Sequence, residues 1–285
     1  MSFIAKLRSQ SALEALSTVL TLALHASVLL VLWVPFRWSL LVLCAGSYGL
    51  RMWAITAGYH RYFAHRSYKT SRAFQFLLGL LGTMSMQNGP LWWASWHRHH
   101  HRHSDQPEDA HSPVQRGLWH AHIGWFLDGS HDRPNLGNVR DLARYPELRF
   151  LDRHKWLPLI AYASGMYLLA GVGGVVWGFL VSTVACLQAT MCINSLAHVW
   201  GWRRFDTPDG SRNNGWLAFA TLGEGWHNNH HHDMNCARQG LTAREIDVTY
   251  YTLVALAKLG IIWDLKPVPV AMRDHHPRRI KPVTR

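Results

Sequence analysis

From Leu157 to Leu196 the chain runs forty residues without one charged side chain. About 20 apolar residues, rising about 1.5 Å each, cross a hydrocarbon layer of about 30 Å. The run is twice that length and is interrupted by Gly171, Gly173 and Gly174, so it reads as two crossings joined by a very short turn. Ala15 to Val34 adds twenty residues whose only ionisable group is His25, and Leu40 to Ala57 adds a stretch carrying only Arg51. The expectation is an all-α integral membrane protein with four transmembrane helices, at about 15–34, 40–57, 157–170 and 174–196, in a single domain over 1–285.

The 29 Lys and Arg outnumber the 17 Asp and Glu, for a formal charge of +12. In a soluble chain that excess would suggest nucleic acid, but here its distribution decides. Arg37 alone lies in the two short loops on one side and Arg51 alone lies inside a span, which leaves 27 cations on the opposite side with both termini. The positive-inside rule makes that side the cytoplasm. The basic surface then faces anionic lipid or an acidic partner, and no nucleic acid is expected. Cys44, Cys186, Cys192 and Cys236 form no CxxC pair, which argues against a disulfide framework or a zinc ribbon. The opening MSFIAKLRSQ is too polar for a removable signal, so the first span is expected to act as the targeting element.

Nine of the twenty histidines form a pattern: His60 and His65, then His97, His100 and His101, then His198, then His227, His230 and His231. If they share one site, every segment between them crosses the membrane an even number of times. Only thirty-one residues separate His65 from His97, too few for two spans, so the apolar piece near 73–87 is expected to be an interfacial or re-entrant helix ending near Asn88, Gly89 and Pro90. The forty-residue run supplies two crossings before His198, and a cytoplasmic helical cap over about 88–156 and 198–285 carries the rest. Within HxxHH, positions i, i+3 and i+4 share a helix face, so each triplet is expected to converge. In an α-helix His60 and His65 would point about 140° apart. Either that helix unwinds or the two rings serve different ions. Asn194, one turn before His198, is a candidate to reach the site through water.

A lone histidine is usually an exposed or hydrogen-bonded side chain, and His25, His111, His131, His154, His275 and His276 are read that way. His99, His103 and His232 lie off the ligand faces. The fifteen Trp suit a membrane-interface belt, and Trp92, Trp93 and Trp96 beside the second box could also line an apolar channel. A hydrolytic zinc site typically takes three protein ligands, so nine imidazoles point to two ions with an open position on each. Oxidative attack on a C–H bond requires iron or copper, because zinc does not change redox state. No GxGxxG, P-loop or CxxCH motif is present, so the electrons are expected from another protein.

The segments TAGYHRYFAHRSYKT, WHRHHHRHSD, NSLAH and GEGWHNNHH resemble, in order and spacing, the four metal-binding segments of the membrane fatty-acyl desaturases, most closely the acyl-CoA Δ9 (stearoyl-CoA desaturase) type in its bacterial members. The resemblance runs from about Thr56 to Gly240. It implies two iron ions, a non-haem di-iron centre, held by His60, His65, His97, His100, His101, His198, His227, His230 and His231, with Asn194 approaching one iron through water. It also implies that a saturated long-chain acyl group gains a cis double bond at Δ9 inside a narrow tunnel. QRGLWHAHIGW resembles the segment that holds the substrate's polar head, which makes Arg116 a candidate contact for phosphate. Animal members carry a basic residue where this chain has Ser95, which leaves acyl-CoA, a phospholipid and an acyl carrier protein thioester all open as carriers. No HPGG motif of a cytochrome b5-like extension appears, so the implied donor is a separate ferredoxin, rubredoxin or cytochrome b5, and the implied location is the bacterial inner membrane with the site on its cytoplasmic side. Tyr48, twelve residues or about 18 Å along a helix from His60, is expected to help close the tunnel's far end.

Three other readings compete. A di-iron hydroxylase or monooxygenase would yield an alcohol where a desaturase yields an alkene. A membrane metal-handling protein would carry its polar ligands at the span midplane. A bis-histidine haem cytochrome would not need paired HxxHH helices.

Overall fold

The computed structural model describes residues 12–273. The amino-terminal MSFIAKLRSQ and His275 and His276 lie outside them. The described residues are mostly helical, with loops between the helices and one pair of two-residue strands, β1 (Lys69–Thr70) and β2 (Ile262–Trp263), antiparallel with Lys69 opposite Trp263.

Helix α1 (Ala12–Ala26) continues as a 3-10 stretch to Leu32. Helix α2 (Trp38–Trp53) runs on without a break as a π-helix over Ala54–Ala64, seven residues beyond the expected end of the span at 57. Helix α3 (Arg72–Thr83) starts on Ser71, whose hydroxyl accepts from the Phe74 N–H, and packs Leu78, Gly79 and Gly82 against the π-helix. It corresponds to the apolar piece expected near 73–87. Helix α4 (Pro90–His103) begins with proline, whose missing N–H costs nothing there. Its next two N–H groups, Leu91 and Trp92, donate at 2.8 and 2.9 Å to the Asp152 carboxylate from helix α6 (Pro146–Arg153). A shorter helix, α5 (Pro113–Trp119), lies between them in sequence.

Trp156–His198 is helical over 43 residues, but it is not one rod. Ala170 (φ −146°, ψ 24°) and Gly171 (φ 59°, ψ −146°) leave helical geometry. A Cβ on Gly178 would stand 2.7 Å from the Met166 sulfur, although a straight helix would separate those residues by about 18 Å. The chain therefore doubles back into two packed arms, α7 (Trp156–Gly173) and a second arm that ends as α8 (Ser182–Ser195) before His198. Gly171 permits the reversal because its positive φ carries no Cβ penalty. Among the described residues, Trp38–Ala64 and Trp156–His198 are the helices long and apolar enough to cross a membrane, and Thr18–Leu32 forms a shorter apolar one. The main core lies below the π-helix, where Tyr59, Phe63, Leu78, Leu91, Leu148 and Leu151 are almost fully buried. Two further short helices, α9 (His227–His232) and α10 (Val248–Lys258), complete the histidine-bearing end.

Candidate metal centre

All nine expected histidines meet at one end of the helices, in two adjoining groups. His60, His65, His97, His101 and His230 bring one ring nitrogen each within 4.8 Å of one another, and His100, His198, His227 and His231 do the same. The rings of His101 and His231 face each other across the boundary, centroids 4.4 Å apart.

One open alternative is decided, and one expectation corrected, by how these residues are carried. Of the two alternatives for His60 and His65, the structure takes the first: the helix is underwound there, and both rings join one group. In a π-helix the amide of residue i+5 bonds the carbonyl of residue i. The His65 N–H bonds the His60 carbonyl at 3.1 Å, so a five-residue spacing becomes a same-face spacing, with ring centroids 4.7 Å apart. The HxxHH triplets do not each converge on one point either. In α4 His97 and His101 turn to the five-membered group while His100 turns to the other. In α9 His227 and His231 join the four-membered group while His230 crosses to the first. The boxes interlock because positions i and i+4 diverge from i+3 by part of a helical turn, and each helix lies between the two groups.

Carboxylates fix several of these rings from behind. His60 Nδ1 meets Glu224 at 2.5 Å, His100 Nδ1 meets Asp109 at 3.0 Å, His198 Nδ1 meets Asp105 at 2.9 Å, and His231 Nδ1 meets Asp209 at 2.6 Å. Such a partner holds the proton on Nδ1, sets the ring's direction and leaves the Nε2 lone pair for a cation. None of the four acids was singled out from sequence, although Glu224 lies inside GEGWHNNHH and Asp105 directly after the second box. Sequence gives the proximity of an acid to a box; only packing decides which ring it faces.

Each acid is itself held. Burial raises the Asp105 pKa, but the His198 hydrogen bond overrides it and the carboxyl sits at about 2. Asp109 and Asp209 lie far below the usual range against the same burial, through His100 and His231. Glu224 also accepts from Arg61, which is fully buried and bonds Asp247 at 3.0 Å. Gly223, at φ +129°, allows this approach, because a Cβ there would stand 2.5 Å from Asp247. Asn228 and Asn229 of HNNHH turn inward. Asn213 Oδ1 accepts from both of their amides, and Asn228 Oδ1 accepts from the Arg204 and Phe205 amides.

The donor set fits cations. Burial, reinforced by neighbouring imidazoles, keeps the pKa values of His65, His97, His101, His227 and His230 well below the usual value, so these rings are neutral at pH 7. Burial also holds His231 at about 4 despite Asp209. The Nε2 atom of His97 faces those of His65 at 2.9 Å and His101 at 3.0 Å, and the Nε2 atom of His230 faces those of His60 and His101, both at 3.0 Å. One ring proton cannot satisfy two such neighbours, whereas a shared cation draws every lone pair inward. Among the described residues, His231 Nε2 is buried with no hydrogen-bond partner.

Two cavities of about 40 Å³ each flank the first group and share Trp93, His97, Thr190 and Asn194 in their walls. One is lined further by Trp92 and Trp96, as expected of an apolar channel, and the other by Met52, Ile55, His60 and Thr221. Asn194 thus stands beside the histidines, its amide making a 3.9 Å contact with the Met191 sulfur. The Tyr48 hydroxyl bonds the Ala220 carbonyl at 2.5 Å, one residue from the wall at Thr221. Arg116 lies exposed on α5, 3.4 Å from His120, and lines none of these cavities. His111 departs from its expected place: it is buried, its Nδ1 has no hydrogen-bond partner among the described residues, and its ring lies 4.4 Å from that of His100.

Fold and site together define a helical protein with apolar, membrane-length helices and two adjoining all-histidine groups able to hold cations. The family model for fatty acid desaturases matches residues 36–256. The chain is 40% identical over 215 residues to a probable chloroplastic lipid desaturase of Arabidopsis thaliana, a match covering 74% of this chain and 59% of that protein. It is 36% identical over 250 residues to an sn-2 palmitoyl-lipid 9-desaturase of Nostoc, covering 83% and 85% of the two chains. It is also 36% identical over 270 residues to a hex-5-enoyl-[acyl-carrier protein] acetylenase of Moorena producens, covering 86% and 83%. The chain belongs to the fatty acid desaturase family and is an oxidoreductase of that class. The metal-handling and haem readings fall with that membership.

Proposed function

We propose that the chain introduces a cis double bond at Δ9 of a saturated long-chain acyl group, using two iron ions held by the nine histidines. The balance is one –CH2–CH2– unit, O2, two electrons and two protons giving –CH=CH– and two waters, the electrons coming from a donor protein such as a ferredoxin, rubredoxin or cytochrome b5. Bound iron supplies the O2 chemistry. The chain's own share is geometry and exclusion. Trp93, stacked on His97 at 4.7 Å, and Met52 and Ile55 form apolar walls that hold a methylene pair beside the histidines and keep water away. Asn194 orients a water toward one ion, and Tyr48 closes the far end of the acyl tunnel beyond Met52 and Ile55. Arg116, exposed on α5, is a candidate contact for the substrate's head group.

α1, α2 and the two arms of the folded Trp156–His198 helix are read as four crossings, with the histidine end on the cytoplasmic side of a bacterial inner membrane. The observation that carries the reading is the pair of interlocked histidine groups backed by buried carboxylates and opening onto an apolar cavity. The Nostoc and Moorena relatives act, by name, on a lipid-borne and a carrier-protein-borne chain, and the former at position 9. Expression in a host without desaturase activity tests it: new cis-monoenoic acids and two irons per polypeptide are expected, and His231→Ala abolishes the double bond. An iron-free protein made in iron-replete medium, or an alcohol product, refutes it.

A further inference from the structure

We propose that the acyl chain enters sideways from the membrane, as part of a phosphoglyceride, through a groove between α1 and α7 with its phosphate held by Lys155 and Arg133. The inference rests on the desaturase reading for its chemistry and on geometry of its own. A cavity of about 370 Å³, which Arg116 does not line, offers the phosphate a different place from the Arg116 contact considered above. Its deeper wall is apolar, from Leu24, Phe126, Leu159 and Leu187. Apart from the buried Thr21 and Thr83, its polar groups are the exposed Asp132 and Arg133 and the half-buried Asn88 and Lys155, which form its rim. Lys155 donates to Asn88 Oδ1, which fixes the ammonium at that rim; among the lining residues two cations stand with one acid, Asp132, while Asp152 acts on Lys155 from outside the lining.

The mouth opens among side chains that belong in hydrocarbon. Val19 and Leu20 on α1, and Trp156, Leu157 and Ile160 on α7, are all large, apolar and exposed. A soluble thioester would have to cross that surface to arrive, whereas a membrane lipid already lies against it with its head group level with Trp156 and Lys155, an aromatic and a cation suited to the interface. The groove also leads somewhere. Phe126 forms part of its wall and part of the wall of the inner cavity that contains His97 and Asn194. Phe126 is only partly buried, so rotation of one ring joins the lipid-facing groove to the space beside the histidines. An amphipathic groove with cations at the rim and an aromatic wall shared with the site matches one acyl tail of a phosphoglyceride.

The test uses the full-length protein in vesicles of a palmitoyl-containing phosphatidylglycerol, with palmitoyl-CoA as a parallel substrate. A phosphatidylglycerol carrying a photoactivatable group midway along one tail reports binding without turnover. The expected labels are on Leu24, Phe126 and Leu159, competed by unlabelled lipid. Lys155→Met and Arg133→Gln are each expected to weaken labelling and raise KM for the lipid by about fivefold, with kcat little altered. Leu24→Trp, which fills the groove without touching a charge, is expected to do the same. Label spread evenly over lipid-facing residues such as Leu168 and Val42, or double bonds appearing in palmitoyl-CoA while the vesicle lipid stays saturated, overturns the proposal. Specific labelling of the groove with no double bond in either substrate leaves the entrance standing and defeats the desaturase reading instead.

Discussion

Single side chains decide whether the histidines bind. A carboxylate behind an imidazole fixes its direction and tautomer, and losing such a partner typically costs about 10–100-fold in metal affinity. Asp209→Asn is expected to weaken the four-membered group selectively, because His231 turns on that one carboxylate at 2.6 Å. Metal analysis after dialysis against a chelator should then fall from two ions per polypeptide toward one, with helix content by circular dichroism unchanged. Equal loss from both groups would show that they act as one site. Tyr48 invites a second test. It shares a helical stripe with Met52 and Ile55, and its hydroxyl ties that stripe to Ala220 beside the cavity wall. Tyr48→Ala removes the ring and is expected to shift products toward longer chains in fatty-acid profiles of an expressing host, while Tyr48→Phe keeps the original length. The nine histidines were legible in sequence because imidazoles in HxxHH spacing announce themselves. Asp105, Asp109, Asp209 and Glu224 were not, because an acid gives no hint of which ring lies behind it until distant segments meet: Asp105 and His198 stand 93 positions apart.

Elements set the angle at which those side chains arrive. The π-helix over Ala54–Ala64 is the least legible of them, since its composition would serve equally as α-helix and only the i+5 bonding brings His60 and His65 to one face. Helix α4 depends on a contact from outside itself. Asp152 accepts the first two available N–H groups, where the helix dipole also favours a negative charge. Asp152→Ala is expected to cost about 1–2 kcal/mol, read as a lower thermal midpoint in detergent, with metal retention falling as well because three of the proposed ligands, His97, His100 and His101, ride on that helix. Unchanged stability would mean that water replaces the cap. The Trp156–His198 reversal shows the opposite case: the glycines near 171 marked the turn correctly, because few residues other than glycine take a positive φ without strain.

For the whole molecule, the four-crossing reading dictates how the helices sit in a bilayer. Under the four-crossing reading Phe36, between the first two spans, and Arg140, in the cap, face opposite sides. Single cysteines at those positions, in a background with the native four replaced, are expected to react with a membrane-impermeant maleimide from opposite faces of sealed inverted vesicles. Labelling from the same face would reduce the spans by an odd number. The sequence by itself determined the class of fold and the nine histidines, because hydrophobic run length and ligand type are local properties that any fold of this chain must respect. Only the tertiary structure decided that each HxxHH box divides between two groups, that the first box is wound as a π-helix, and which carboxylate stands behind which ring. Those depend on the angles at which remote helices cross, and crossing angles follow from packing that no local stretch of sequence contains.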